Sequence, residues 1–164
     1  MKKRQQYDDI TEAINSIGDE VNSVLNNRQK EKYFDGVVLL YSFIENVLKW
    51  LIFVQLLWSK SGRVVPDKEM TELQRFCKSL NFYQAQHIAL SLDVIDWKLF
   101  QRIDAIRQER NDVIHQFWLY VHRGNNLVLR KKLEKLAGVA SQLVENTKKL
   151  TREIGVDEVY KISL

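Results

Sequence analysis

Apolar positions recur with a helical period along most of this chain. Ile10, Ile14, Ile17, Val21 and Val24 are spaced by three and four, which predicts a helix from about Arg4 to Asn27. Tyr33 to Trp58 is a longer and more apolar stretch, and it predicts a second, buried helix. Ser59-Lys60-Ser61-Gly62-Arg63-Val64-Val65-Pro66 reads as a loop. Asp67 stands where the N-cap of a third helix over Lys68 to Ser79 is expected. A short helix over Phe82 to Leu92 follows. Asp93 or Asp96 then opens a long helix that continues through Arg110 and His115 towards Val121. Gly124-Asn125-Asn126 reads as a turn, with a hairpin over Trp118 to Leu129 as the alternative. Leu133, Leu136, Ala140, Leu143, Thr147, Leu150 and Ile154 form the stripe of a last helix, ended by Gly155 and followed by a tail, 156–164. The pattern predicts an all-α, up-and-down helical bundle of about five helices in a single domain, 1–164. No internal repeat or linker divides it.

Composition agrees with that reading. A length of 164 residues suits one domain with a real core. With 6 Gly and 1 Pro there are few helix breakers. The net charge of +4 and the pI near 9.1 make a polyanion such as RNA a natural partner class. Cys77 is the sole cysteine, so neither a disulfide framework nor a zinc cluster is expected, in keeping with a reducing cytoplasm. No apolar signal core follows Met1-Lys2-Lys3-Arg4, and secretion is not expected. Val37 to Trp58 raises the question of a membrane span. Glu45, Asn46, Lys49 and Gln55 interrupt it, and the expectation is a buried central helix with no membrane.

Two breaks in these patterns carry the chemistry. Leu99, Ile103, Ile106, Arg110, Val113 and Phe117 make one stripe, with Arg110 at a position that calls for an aliphatic residue. Tyr41, Glu45, Leu48 and Ile52 make another, with Glu45 similarly out of place. An arginine facing a core needs an anionic partner or a route to water, so Glu45 is predicted to pair with Arg110. On the same long helix Arg107, Asn111 and His115 share a face, with Arg110 about 140° from His115. Arginine stabilises charge on phosphate, and histidine moves protons near neutral pH. Together they are a minimal kit for cutting RNA without a metal. The 2′-OH would attack the neighbouring phosphate. His115 would serve as general base, or as general acid with a second subunit's His115 as base. Arg110 would stabilise the phosphorane, and Asn111 would orient His115 or bind the phosphate.

Arg110-Asn111-Asp112-Val113-Ile114-His115, in an all-helical chain of this length, resembles the R-x(4–6)-H signature of the HEPN superfamily. That resemblance implies dimeric ribonucleases of toxin–antitoxin and antiviral defence systems. It implies catalytic roles for Arg110 and His115, Asn111 as the polar position after the arginine, and Glu45 as a supporting acid. In the members paired with a nucleotidyltransferase antitoxin, a tyrosine lies two residues after the motif histidine and is modified with AMP. Here Phe117 takes that place, which puts such an antitoxin in doubt.

The remaining features have plainer readings beside the functional ones. Arg110 with Glu45 also reads as a structural ion pair, and His115 as a surface or interface histidine. Arg123, Arg130, Lys131, Lys132 and Lys135 read as a solvated helix face or as a track for the RNA backbone. Trp50, Trp58, Trp97 and Trp118 are expected as core or interface anchors, Trp118 with a second reading as a base-stacking residue. His87 and His122 match no motif. Asp93, Asp96 and Asp104 make no convincing metal set, and neither metal nor cofactor is expected. The rival readings are a non-catalytic HEPN-like module that dimerises and binds protein, nucleotide or RNA, and a helical adaptor unrelated to that family.

Overall fold

The first apolar stripe folds as expected over its described part: residues 16–26 are helical (α1), and Val21 and Val24 are buried. The computed structural model describes residues 16–60, 65–115 and 126–154. Arg28 closes α1 in the left-handed region, at φ 51°, with Gln29 N–H donating to the Val24 carbonyl at 3.1 Å. This is the wrap that usually uses glycine. A 3-10 turn, Lys30–Lys32, leads into α2, Tyr33–Trp58. Then come α3 (Asp67–Ser79), α4 (Phe82–Ser91), α5 (Trp97–His115) and α6 (Asn126–Ile154). The protein is an all-helical bundle, with six helices and no strand among the described residues.

Local chemistry sets the boundaries. Pro66, at ψ 145°, occupies the N-cap of α3, one residue before the expected Asp67. Asp67 falls in the first turn, where its charge faces the positive end of the helix dipole. The start of α4 is a capping box: Gln84 N–H donates to Asn81 Oδ1 at 2.9 Å, and Asn81 N–H to Gln84 Oε1 at 3.0 Å. Asp93, at φ 55°, turns the chain out of α4, and Val94 N–H reaches back to the Ala89 carbonyl. Of the two aspartates offered as the cap of α5, Asp96 is the one used, accepting from Leu99 N–H at 2.7 Å. At α6 the alternative of a hairpin reaching Leu129 is overturned, because Asn126 to Leu129 already belong to the helix. Leu129, in the first turn, is buried four residues before Leu133, at the helical spacing that faces the core. Gly155, the tail and the proposed turn at Gly124-Asn125 lie outside the described residues.

The hub is α2. It packs on α3, α4, α5 and, most extensively, α6. Ile44, Leu48, Leu51 and Ile52 are fully buried within one continuous core that also takes in Leu99, Ile103 and Ile106 of α5 and Leu133 and Leu143 of α6. Gly36 faces Leu133 of α6: a Cβ there would stand 3.0 Å from Leu133 Cδ1. By length and composition α2 also passes for a membrane span, with a mean hydropathy of 1.8 over its most apolar stretch. More than half of that stretch is buried within the bundle, which accounts for its apolar character. Cys77, in the last turn of α3, is buried, and burial pushes its thiol up to about 11.

Candidate functional site

Helix α5 is clasped on three sides, and its partners sort its side chains by direction. Its apolar stripe faces α2: Leu99, Ile103, Ile106 and Val113 have no exposure. Arg110 continues that stripe, and its Nη1 donates to Glu45 Oε2 at 2.8 Å, so the two pattern breaks meet across the α2–α5 contact. Glu45 is doubly engaged, because Lys49 Nζ reaches its other oxygen, Oε1, at 2.8 Å. The side chain of Glu45 is 17% exposed and that of Arg110 33% exposed. The carboxylate is thus nearly enclosed while the guanidinium keeps an open flank. Among the described residues Arg110 has Glu45 as its hydrogen-bond partner, through one of five donors.

A second side of α5 faces α6. Glu109 is paired with Lys135 and, at 3.4 Å, with Lys132. Burial raises the carboxyl of Glu109, and the two lysines outweigh it, leaving its pKa below the ordinary value. The basic cluster read from the sequence is therefore partly spent on acids: Lys132 and Lys135 on Glu109, and Arg130 on Glu134 at 2.9 Å. Lys131 is exposed on the same helix. Arg123 and Trp118 lie outside the described residues.

The third side faces α4 through a polar knot. Asp104 Oδ1 accepts from Gln86 Nε2 at 2.8 Å and from Arg107 Nη2 at 2.8 Å, and Oδ2 accepts from Gln108 at 2.7 Å. The Gln86 bond first, then Arg107, hold the Asp104 carboxyl below its ordinary value against the effect of burial. Gln86 is fully buried, and among the described residues its Oε1 has no hydrogen-bond partner. Arg107 also lies over the Tyr83 ring, 5.2 Å from its centroid. It is thereby tied to Asp104 and Tyr83 rather than projecting freely beside Asn111.

What remains of α5 is an open face. Asn111, Asp112 and His115 are exposed there, with Gln101, Ala105 and Gln108 before them. The structure joins Glu45 to Arg110 and leaves His115 and Asn111 on this separate face. The helix turns about 140° and climbs roughly 7.5 Å between Arg110 and His115. The group of Asp93, Asp96 and Asp104 does not converge: Asp96 caps α5 and Asp104 is saturated by neighbours. The knot around Asp104 was missed by sequence reasoning. Its local half, Asp104 with Arg107 and Gln108 at three and four residues, was readable. Its link to Gln86 requires the packing of α4.

Comparisons with protein-family models, with curated proteins and with solved structures found no match.

Proposed function

We propose that this protein is a metal-independent endoribonuclease of HEPN type, working as a homodimer in a prokaryotic toxin–antitoxin or antiviral defence setting in the cytoplasm. The setting rests on the resemblance of the Arg110–His115 segment. The chemistry rests chiefly on one observation, the guanidinium of Arg110. Glu45 fixes it at 2.8 Å, it is one-third exposed, and among the described residues one of its five donors is engaged, which leaves others to meet a phosphate.

In the proposed reaction the 2′-oxygen of the RNA forms a bond to phosphorus while the bond to the 5′-oxygen breaks. One histidine takes the 2′-OH proton and another gives a proton to the leaving 5′-oxygen. His115, exposed at the end of the described part of α5, fills one role, and the partner's His115 fills the other. Arg110 counters the charge that builds on the phosphorane, and Asn111, one turn before His115, orients the ring or holds the phosphate. The reaction needs the 2′-OH, so DNA is spared.

The test is cleavage of a labelled single-stranded RNA in EDTA by wild type, His115→Ala and Arg110→Ala. Products with 2′,3′-cyclic phosphate ends, lost in both variants while folding persists, are the expected result. Absence of cleavage by folded wild-type dimer turns the reading to the second one, a non-catalytic module that binds RNA, nucleotide or protein. The angle between Arg110 and His115 favours that second reading, since one subunit alone leaves the pair on different faces.

A further inference from the structure

Where α4 meets α5, bordering the open face, runs a row of rings that neither motif absorbs: Tyr83 and His87 of α4, and Phe100 and Trp97 of α5. Trp97 is stacked on Phe100, with centroids 5.1 Å apart and planes 14° from parallel. Phe100 meets the edge of His87 at 5.0 Å, His87 lies 4.1 Å from Tyr83, and Arg107 covers Tyr83. The row is fixed in place. His87 Nδ1 is 2.9 Å from the Tyr83 carbonyl, and Arg107 is held by Asp104. Its two ends are accessible: Trp97 is 60% and Tyr83 53% exposed, while Phe100 between them is buried and supports Trp97 from below.

We propose that this row is a stacking platform for the bases of single-stranded RNA, leading along α5 to His115. The proposal rests on the ribonuclease reading and adds to it where the strand lies and why it must be unpaired. Three observations carry it. First, Trp97, Phe100, Asp104, Arg107, Asn111 and His115 recur at three and four residues, a stripe of α5 that borders α4 and runs from the exposed Trp97 to the exposed Asn111 and His115. Arg107 lies two turns before His115, about 12 Å along the axis, and Trp97 about 27 Å. Second, the margin of the row is rich in amides, with Gln101, Gln108 and Asn111 all exposed. Amides hydrogen-bond base edges, and rings stack base faces. From Trp97 to Gln108, away from the His115 end where the second copy would meet it, the exposed residues of α5 include no Leu, Ile or Val, the types that a helix seam between two copies would bury. Third, the lysines Lys132 and Lys135 and Arg130 of α6 are engaged by Glu109 and Glu134, which weakens the alternative path over that helix. Bases in a duplex hide their faces, so the platform selects single strands.

The test uses the full chain carrying His115→Ala, so that RNA stays intact, and reads the binding of a fluorescent single-stranded RNA by anisotropy. Trp97→Ala and Tyr83→Ala should each weaken binding by about 5- to 150-fold, the range for losing one base–ring stack. Trp97→Phe should restore most of it, and a duplex of the same sequence should bind more weakly than the single strand. Sedimentation checks the oligomer, and circular dichroism checks the fold. Unchanged affinity in both alanine variants overturns the platform. So does a loss of affinity that tracks dissociation into smaller species, which would make the row an interface between copies. Ring-dependent binding by a protein whose wild type never cleaves RNA leaves the platform standing and removes the ribonuclease reading instead.

Discussion

Removing the charge of Glu45 should damage the fold more than removing that of Arg110. The reason is an asymmetry in how the three groups share bonds. Glu45 gives one oxygen to Arg110 and the other to Lys49, each at 2.8 Å. In Arg110→Met the carboxylate keeps Lys49, and the new side chain continues the stripe of Ile106 and Val113. That change should cost about 1 kcal/mol, the scale of a partly exposed ion pair. In Glu45→Gln two cations lose their counter-charge. Lys49, only 17% exposed, has little access to water. A hydrogen bond to a charged group contributes about 1.5–3 kcal/mol when well buried, and discounting for the exposure of Arg110 gives about 2 kcal/mol. A chain of this length loses roughly 2–4 °C of melting temperature per kcal/mol, so Glu45→Gln should melt about 4–8 °C below wild type and Arg110→Met about 2–4 °C below. Urea unfolding of both single variants and the double variant gives the coupling, expected near 1 kcal/mol. Additivity within about 0.3 kcal/mol, or a larger loss in Arg110→Met than in Glu45→Gln, would refute the idea that Glu45 is the anchor of the network.

Two further outcomes follow from the packing. Asp104→Asn removes a carboxylate whose pKa is depressed by Gln86 and Arg107, so its contribution is present above the ordinary value near 3.9 and is lost as pH falls through the folded value. The variant should be less stable than wild type at pH 7, with the gap closing below about pH 4 in urea melts; a gap that widens in acid contradicts the assignment. Gly36→Leu should destabilise by about 1–3 kcal/mol, because the added atoms enter space held by Leu133. The double variant with Leu133→Ala should recover part of that loss, and no recovery would mean that the contact is not the limit.

Much of the scaffold was legible because helical burial is periodic. The range of α2 and the stripe of α6 needed no tertiary information. The Glu45–Arg110 bond was legible for a related reason: each residue interrupts an apolar stripe, and a charge placed on a buried face must be answered by another. Boundaries were less so. Asn81 and Gln84 spell a capping box at three residues, yet Asp93 and Asp96 offered equal claims to α5 until the left-handed turn at Asp93 separated them. The ring row was hidden for another reason. Tyr83 with His87, and Trp97 with Phe100, are local pairs, but His87 meets Phe100 only after α4 folds against α5. Likewise the pairing of Arg130 with Glu134 is local, whereas that of Lys132 and Lys135 depends on Glu109 from another helix.

The dominance of the α2–α6 contact has a consequence during synthesis. The principal cover of α2 is made last, about 70 to 100 residues after Trp58, which at 5–20 residues per second is a delay of roughly 4–19 s. Over that interval a 26-residue helix as apolar as a membrane span is only partly shielded, by α1 and then by α3 to α5. The nascent chain therefore presents to chaperones and targeting factors a hydrophobic signal that the finished protein no longer displays.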